Sequence, residues 1–300
     1  MKRVLVTGAG GFIGRHCVPA LVESGFEVHA TDLQLDLDFG PDVQFHPANL
    51  MDPAQVQLLV QSAKPSHLLH LAWETTPGSY WNSPSNLQWI RASQELLTRF
   101  TSRSVDRAVA AGTCAEYDWT QGYCSESRTP LRPRQLYGES KNTFREIFET
   151  DCNQKKLSYT WGRIFHLFGP GEKPDRLVPS IILDLLHNRL ARCTHGMQLR
   201  DFLYVKDVAS AFVSILNSKI QGAVNIGSGI PMRVRDVIAE IARLLDRSCL
   251  VKYGAVPMPM DEPTSIVADV RRLNQEVGWF PSFSLEKGLE ETIRWWQDRM

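Results

Sequence analysis

The stretch Val4-Leu5-Val6-Thr7-Gly8-Ala9-Gly10-Gly11-Phe12-Ile13-Gly14 constrains the fold of this chain more than any other. Its apolar, β-branched start reads as a buried strand, and the burst of glycine after it reads as a tight turn. Arg15 to Ser24 follows with Cys17, Leu21 and Val22 at helical spacing, so the segment is expected to be strand, turn, helix. Such a turn brings bare backbone N–H groups to a helix N-terminus, a site for a phosphate or pyrophosphate. Glycine suits it because a Cβ would block the turn dihedrals or the close approach of a ligand. The spacing is Gly8-x-x-Gly11-x-x-Gly14, with Phe12 and Ile13 inside it, and not the G-x-G-x-x-G of the ordinary dinucleotide fingerprint. A turn that uses glycine for geometry alone is the alternative.

A chain of 300 residues can form one large α/β domain or two smaller ones, and either buries a substantial core. The net charge is zero, which points away from nucleic acid or any other polyanion as partner. The six cysteines form no CxxC pair and do not cluster with histidine, so neither a metal site nor a disulfide framework is expected. Strand residues begin at the N-terminus in place of a secretion signal, and no apolar run reaches membrane-spanning length. A soluble, cytoplasmic protein with no membrane partner and reduced thiols is the expectation.

Glu27–Thr31 reads as a second strand ending at Asp32, eighteen residues beyond Gly14. An acid at that tip, with Leu33 beside it, can accept hydrogen bonds from a ribose diol and would repel a 2′-phosphate, which favours NAD. Arg15 keeps NADP as the alternative. For Asp32 itself the alternative is a loop start with Asp36 and Asp38 as solvated neighbours. Val43–His46 reads as a third strand, Asp52 as a helix cap with Pro53 in the first turn, and Leu68–Ala72 as a fourth, buried strand. Strands and helices alternate, which argues for a doubly wound parallel sheet.

The loop from Trp73 to Pro84 offers Trp73, Glu74, Tyr80 and Trp81 as substrate contacts, with packing beneath the loop as the alternative. Ser85–Thr101 carries a helical apolar stripe. Arg107–Ala111 is a fifth strand running into Thr113, whose hydroxyl is then placed at the crevice. Tyr137 and Lys141 lie four apart and share a face of the helix expected over Tyr137–Lys155. An ammonium near a phenol favours the phenolate, so Tyr137 is expected to exchange a proton with a carbonyl or alcohol whose oxygen Thr113 holds. The alternation loosens after His166. Residues 1–166 and 200–228 are therefore expected to form the dinucleotide-binding unit, and 167–199 with 229–300 a smaller substrate-binding α/β unit.

Together these residues resemble the extended short-chain dehydrogenase/reductase family, in its nucleotide-sugar epimerase/dehydratase branch. The resemblance spans nearly the whole chain. It rests on the glycine spacing, His70-Leu71-Ala72, Thr113 four residues before Tyr117, Tyr137-x-x-x-Lys141, Phe168-Gly169-Pro170-Gly171, Arg200-Asp201-Phe202 through Asp207-Val208-Ala209, and Asn225-Ile226-Gly227. It implies a Rossmann sheet, NAD as cofactor and a nucleotide-diphosphate sugar as substrate. It further implies that Tyr137 is the general acid/base, that Lys141 orients the nicotinamide ribose, and that Thr113 positions the reacting oxygen. Asn49 and Leu50 would border the adenine, Leu71, Ala72 and Trp73 would pass close to the cofactor, and Arg200 would grip the substrate diphosphate. Homodimers joined through the helices at Ser85–Thr101 and Tyr137–Lys155 are also implied.

Departures from the family pattern narrow the chemistry. Trp89 replaces an asparagine, His166 replaces another, and a second phosphate-binding arginine is missing from Met258–Glu262. The 4,6-dehydratases carry Asp-Glu directly after the catalytic threonine, where this chain has Cys114-Ala115. Dehydration is thereby disfavoured. Cys114 reads as a small buried thiol, with ring epimerisation as the alternative, and His166 as a substrate hydrogen-bonding group or an acid/base. The reading reached is reduction of a 4-keto-6-deoxy sugar. The alternatives are a 4-epimerase with tightly bound NAD and a non-catalytic dinucleotide sensor.

Overall fold

A computed structural model describes residues 2–34 and 37–300; Asp36 lies outside the described residues. The chain runs β1 (Arg3–Thr7), α1 (Gly14–Glu23), β2 (Glu27–Thr31), β3 (Val43–Phe45), α2 (Pro53–Ala63), β4 (His67–His70), α3 (Ser85–Thr101), β5 (Arg107–Thr113) and β6 (Tyr123–Cys124). It continues through α4 (Leu136–Gln154), β7 (Ser158–Ile164), β8 (His166–Phe168), α5 (Leu177–Leu186), β9 (Ala191–Arg192), β10 (Leu199–Tyr204), α6 (Val205–Asn217) and β11 (Gly222–Ile226). The last elements are β12 (Pro231–Arg233), α7 (Val234–Leu244), β13 (Val251–Lys252), β14 (Ser265–Ala268) and α8 (Leu285–Gln297).

Seven parallel strands form the main sheet in the order β3-β2-β1-β4-β5-β7-β11. The order reverses direction between β1 and β4, the switch point where open sheets of this kind take their ligands at the carboxyl ends of the strands. Strand periodicity divides the core. Val4, Val6, Leu69 and Val109 face one helical layer with Phe212 and Leu216 of α6, whereas Leu5, Leu68, Ala108 and Ala110 face the other with Leu96, Phe144 and Phe148. Helix α2 starts as its sequence dictates: the Asp52 carboxylate accepts from Ala54 N–H at 2.9 Å, and Pro53 stands at the first turn.

A smaller sheet runs β12-β10-β14-β6, with β8 paired to β10. Sheet membership departs from the boundaries expected from sequence. Leu199–Tyr204 and Tyr123–Cys124 belong to the smaller sheet, and the chain rejoins the large one at Gly222–Ile226. The physical reason is Asp201, which is fully buried. Its carboxylate accepts from Ser228 N–H (2.6 Å), Ser228 Oγ (2.7 Å), Gly229 N–H (2.9 Å) and Ala268 N–H (3.1 Å), tying β10 to β14 and to the turn after β11.

Candidate active site

The glycine loop turns at Gly8, whose φ of +67° lies in the left-handed region. A Cβ on Gly8 would stand 2.9 Å from the backbone of Ala72, so the loop lies directly against the Leu71-Ala72 segment leaving β4. Leu71 N–H donates to Thr7 O (3.2 Å) and Ala72 N–H to Thr7 Oγ1 (3.3 Å). A Cβ on Gly14 would lie 2.1 Å from Gly8 O. These cradle-forming contacts leave no room for side chains, and the loop fits a dinucleotide at the N-terminus of α1. Asp32 sits at the tip of β2, where its carboxylate accepts from Gly10 N–H (2.9 Å) and Leu33 N–H (2.8 Å). The Arg15 guanidinium folds back onto Gly10 O (2.7 Å).

Not every residue of the expected cofactor set plays the same structural part. Ile13 packs into the core on one side of the sheet and Leu50 is buried on the other. Phe12 packs towards Phe168 and its neighbours, and the Leu33 side chain is exposed. Asn49 closes its own turn, accepting from Met51 N–H at 3.0 Å.

Beyond β5 the structure brings Thr113, Tyr137 and Lys141 together. Thr113 ends the strand; Tyr137 and Lys141 are buried on one face of α4. Burial pushes the Tyr137 phenol above its ordinary range, with the nearby Thr113 side chain working the other way. The expected lowering by Lys141 is not met, because the ammonium aims elsewhere. Lys141 Nζ donates to Ala111 O at 2.9 Å and stands 4.0 Å from the centre of the Trp73 ring. Burial pulls Lys141 down to about 7, opposed by the Glu116 carboxylate.

The aromatic loop divides in two. Trp73 donates to Asn86 Oδ1 (2.8 Å) and stacks on Trp89, so the tryptophan that departs from the family pattern packs under the loop. Glu74 caps the following turn through Thr76 N–H (2.9 Å). Tyr80 and Trp81 instead meet the Tyr137 ring edge-to-face at 4.9 and 5.8 Å. Arg176, at the start of α5, lies over Tyr80 and donates to Thr75 O (3.2 Å), closing the loop from the smaller sheet's side.

His166 keeps Nδ1 buried without a partner among the described residues, and burial beside Arg200 and Arg176 pulls its pKa down to about 3. It is therefore a neutral imidazole at physiological pH, suited to a hydrogen bond and poorly suited to proton removal. Arg200 is buried and its guanidinium is paired with Glu262. Cys114 is buried and its thiol is pushed up, so it is not a thiolate.

Sequence reasoning passed over two carboxyl groups here. Glu116 is completely buried under Thr113; the Thr-x-x-Glu capping-box spacing was its available signal. Glu172 follows Gly169-Pro170-Gly171, and burial pushes its carboxyl up to about 8, so it carries a proton at neutral pH. No local pattern announces that, because the burial comes from tertiary packing.

A parallel sheet with a glycine cradle at its switch point and a Tyr–Lys pair beside a strand-end threonine defines a class. A family model described as the NAD dependent epimerase/dehydratase family matches residues 4–227, and the chain belongs to that family. It is similar to the dTDP-D-glucose 4,6-dehydratase of Homo sapiens, at 26% identity over 99% of this chain and 90% of the human one. It is likewise 26% identical to the CDP-abequose synthase of Salmonella typhimurium, covering 97% of each. Among solved structures it resembles MoeE5 in complex with UDP-glucose and NAD, at 29% identity, 99% of both chains and a TM-score of 0.84. No described helix is long and apolar enough to cross a membrane.

Proposed function

We propose that this protein is an NAD(P)-dependent reductase, with NAD as the favoured cofactor, that converts the ketone of a nucleotide-linked 4-keto-6-deoxy sugar to the alcohol. The observation that carries the reading is the Thr113–Tyr137–Lys141 cluster followed by Cys114-Ala115. Neither of those two offers a carboxylate, and the next acid, Glu116, is committed to Arg163 at 2.7 Å. Removing water across two ring carbons needs an acid and a base beside the threonine; reducing a ketone needs only one proton donor.

Gly8, Gly11, Gly14 and Asp32 would hold the cofactor, which in reduced form would supply a hydride. Tyr137 gives the proton to the carbonyl oxygen, which becomes the hydroxyl. The Thr113 hydroxyl holds the same oxygen and stabilises its developing negative charge. Lys141, pulled down to about 7 by burial, carries its positive charge beside the proton donor below neutral pH. His166 would meet the sugar, Arg200 would reach the diphosphate only on releasing Glu262, and Tyr80 and Trp81 exclude water over Tyr137. The similarity to a CDP-sugar synthase and to a UDP-glucose complex supports a nucleotide sugar as substrate. Pairing of α3 and α4 between two copies is the assembly proposed, to be measured as mass by light scattering.

The test mixes the protein, reduced cofactor and a set of nucleotide 4-keto-6-deoxy sugars, and follows oxidation of the nicotinamide. Stoichiometric oxidation is expected, and it is lost in Tyr137→Phe. Absence of turnover with every nucleotide refutes the reductase. Interconversion of two sugars without net oxidation, with NAD retained through purification, would make it a 4-epimerase.

A further inference from the structure

The Glu116 carboxylate stands where three elements meet. It accepts Thr113 N–H at 2.8 Å, Trp161 Nε1–H at 3.0 Å and Arg163 Nε–H at 2.7 Å. Arg163 in turn donates to the Tyr117 hydroxyl (3.0 Å), which donates to Asn225 Oδ1 (2.7 Å) on β11. The ends of β5, β7 and β11 are thus laced together directly beneath the reacting groups. Gly112 lies inside this lattice: a Cβ there would meet Trp161 Nε1 at 2.1 Å and Glu116 Oε1 at 2.7 Å. A buried ion pair is rarely kept for stability alone, since apolar side chains of similar volume do as well.

We propose that Glu116 is a positioning residue for the whole catalytic cluster: anchored by Arg163 and Trp161, its carboxylate fixes the backbone of Thr113, two residues along β5 from the Ala111 carbonyl that holds the Lys141 ammonium, and its negative charge supports that ammonium. This rests on the reading of Thr113, Tyr137 and Lys141 given above. The surroundings of Lys141 leave Glu116 that part. From β4 it faces His70, whose ring is engaged by Thr7 Oγ1 (2.7 Å) and Ser93 Oγ (2.9 Å) and is held neutral by burial. From the loop after β4 it faces the neutral Trp73 ring, and on its own helix Tyr137. Among the described residues Glu116 is the carboxylate whose charge favours the Lys141 ammonium, and it also bears on Tyr137 and, across α4, on Glu149. Removing its charge lowers the affinity of both Lys141 and Tyr137 for their protons. Both effects have one sign: activity that needs a protonated lysine and a protonated phenol is lost at lower pH.

Two variants separate charge from position. Glu116→Gln keeps an acceptor for Thr113 and Trp161 but not the charge. It is expected to lower kcat by about tenfold or more with KM little changed, and to move the alkaline limb of the kcat profile to lower pH. Glu116→Asp keeps the charge but withdraws it by one methylene. Its kcat is expected to fall while the limb stays at the wild-type pH, and this arm stands if Glu116→Gln fails to fold. An unmoved limb in Glu116→Gln, or wild-type kcat in Glu116→Asp, overturns the proposal. If Tyr137→Phe is as active as wild type, the catalytic reading beneath it falls instead, and that outcome is separately visible.

Discussion

Gly14→Ala tests the cradle at its tightest point. The added Cβ would lie 2.1 Å from Gly8 O and 2.7 Å from Ala9 Cα, both backbone atoms. Reaching an ordinary contact of about 3.4 Å requires Gly8 or α1 to retreat by more than an ångström. Gly8 cannot give way freely, because on its other side it rests against the Ala72 backbone. Overpacking of this kind costs about 1–3 kcal/mol, and where backbone must move the upper end applies. Spent on the bound state, about 2–3 kcal/mol weakens NAD binding roughly 30- to 150-fold. Isothermal titration of NAD into the two proteins measures it directly. The control is Gly25→Ala, at a φ of +81° with nothing within 4 Å of the new Cβ. It carries backbone strain of about 1–2 kcal/mol in folding but leaves the cradle untouched. Unchanged NAD affinity in Gly14→Ala, or an equal loss in Gly25→Ala, refutes the cradle argument.

Lys141→Met is expected to abolish turnover yet raise the melting temperature at pH 7. The folded-state pKa, near 7, lies below the ordinary value of 10.5, so the unfolded chain binds more protons between those limits. The lysine's destabilisation is full below about pH 7 and fades as pH rises towards 10; the wild-type deficit against Lys141→Met in chemical denaturation should shrink over that window. His166→Asn should leave the pH dependence of kcat unaltered between pH 5 and about 8, because the imidazole is already neutral there; a limb that disappears in this variant would restore acid/base work to His166. Asp201→Asn removes a buried charge that accepts four hydrogen bonds and should cost about 3 kcal/mol of folding stability, read as a drop in the denaturation midpoint.

Local rules carried the sequence reading a long way. The glycine turn, the Asp52–Pro53 start of α2 and the shared face of Tyr137 and Lys141 depend on a few adjacent residues and on backbone geometry. Continuous apolar runs in β1 and β5 likewise announce a sheet covered on both faces. These short-range features are enough to read the doubly wound sheet and to place a threonine at a strand end and a tyrosine and a lysine on one helix face.

What needed the folded chain is long-range and electrostatic. Lys141 turns to the Ala111 carbonyl and the Trp73 ring because strand β4 and its loop happen to pass there, and the phenol rises because it is buried, not because of its neighbour four residues on. Strand β10 joins the smaller sheet through an aspartate whose partners lie 27 to 67 residues away. Glu116 meets Arg163 across 47 residues. Helical spacing can say which side chains share a face; solvent exclusion and charge pairing, which set how those side chains titrate and where they aim, are properties of packed surfaces that the linear order of residues does not contain.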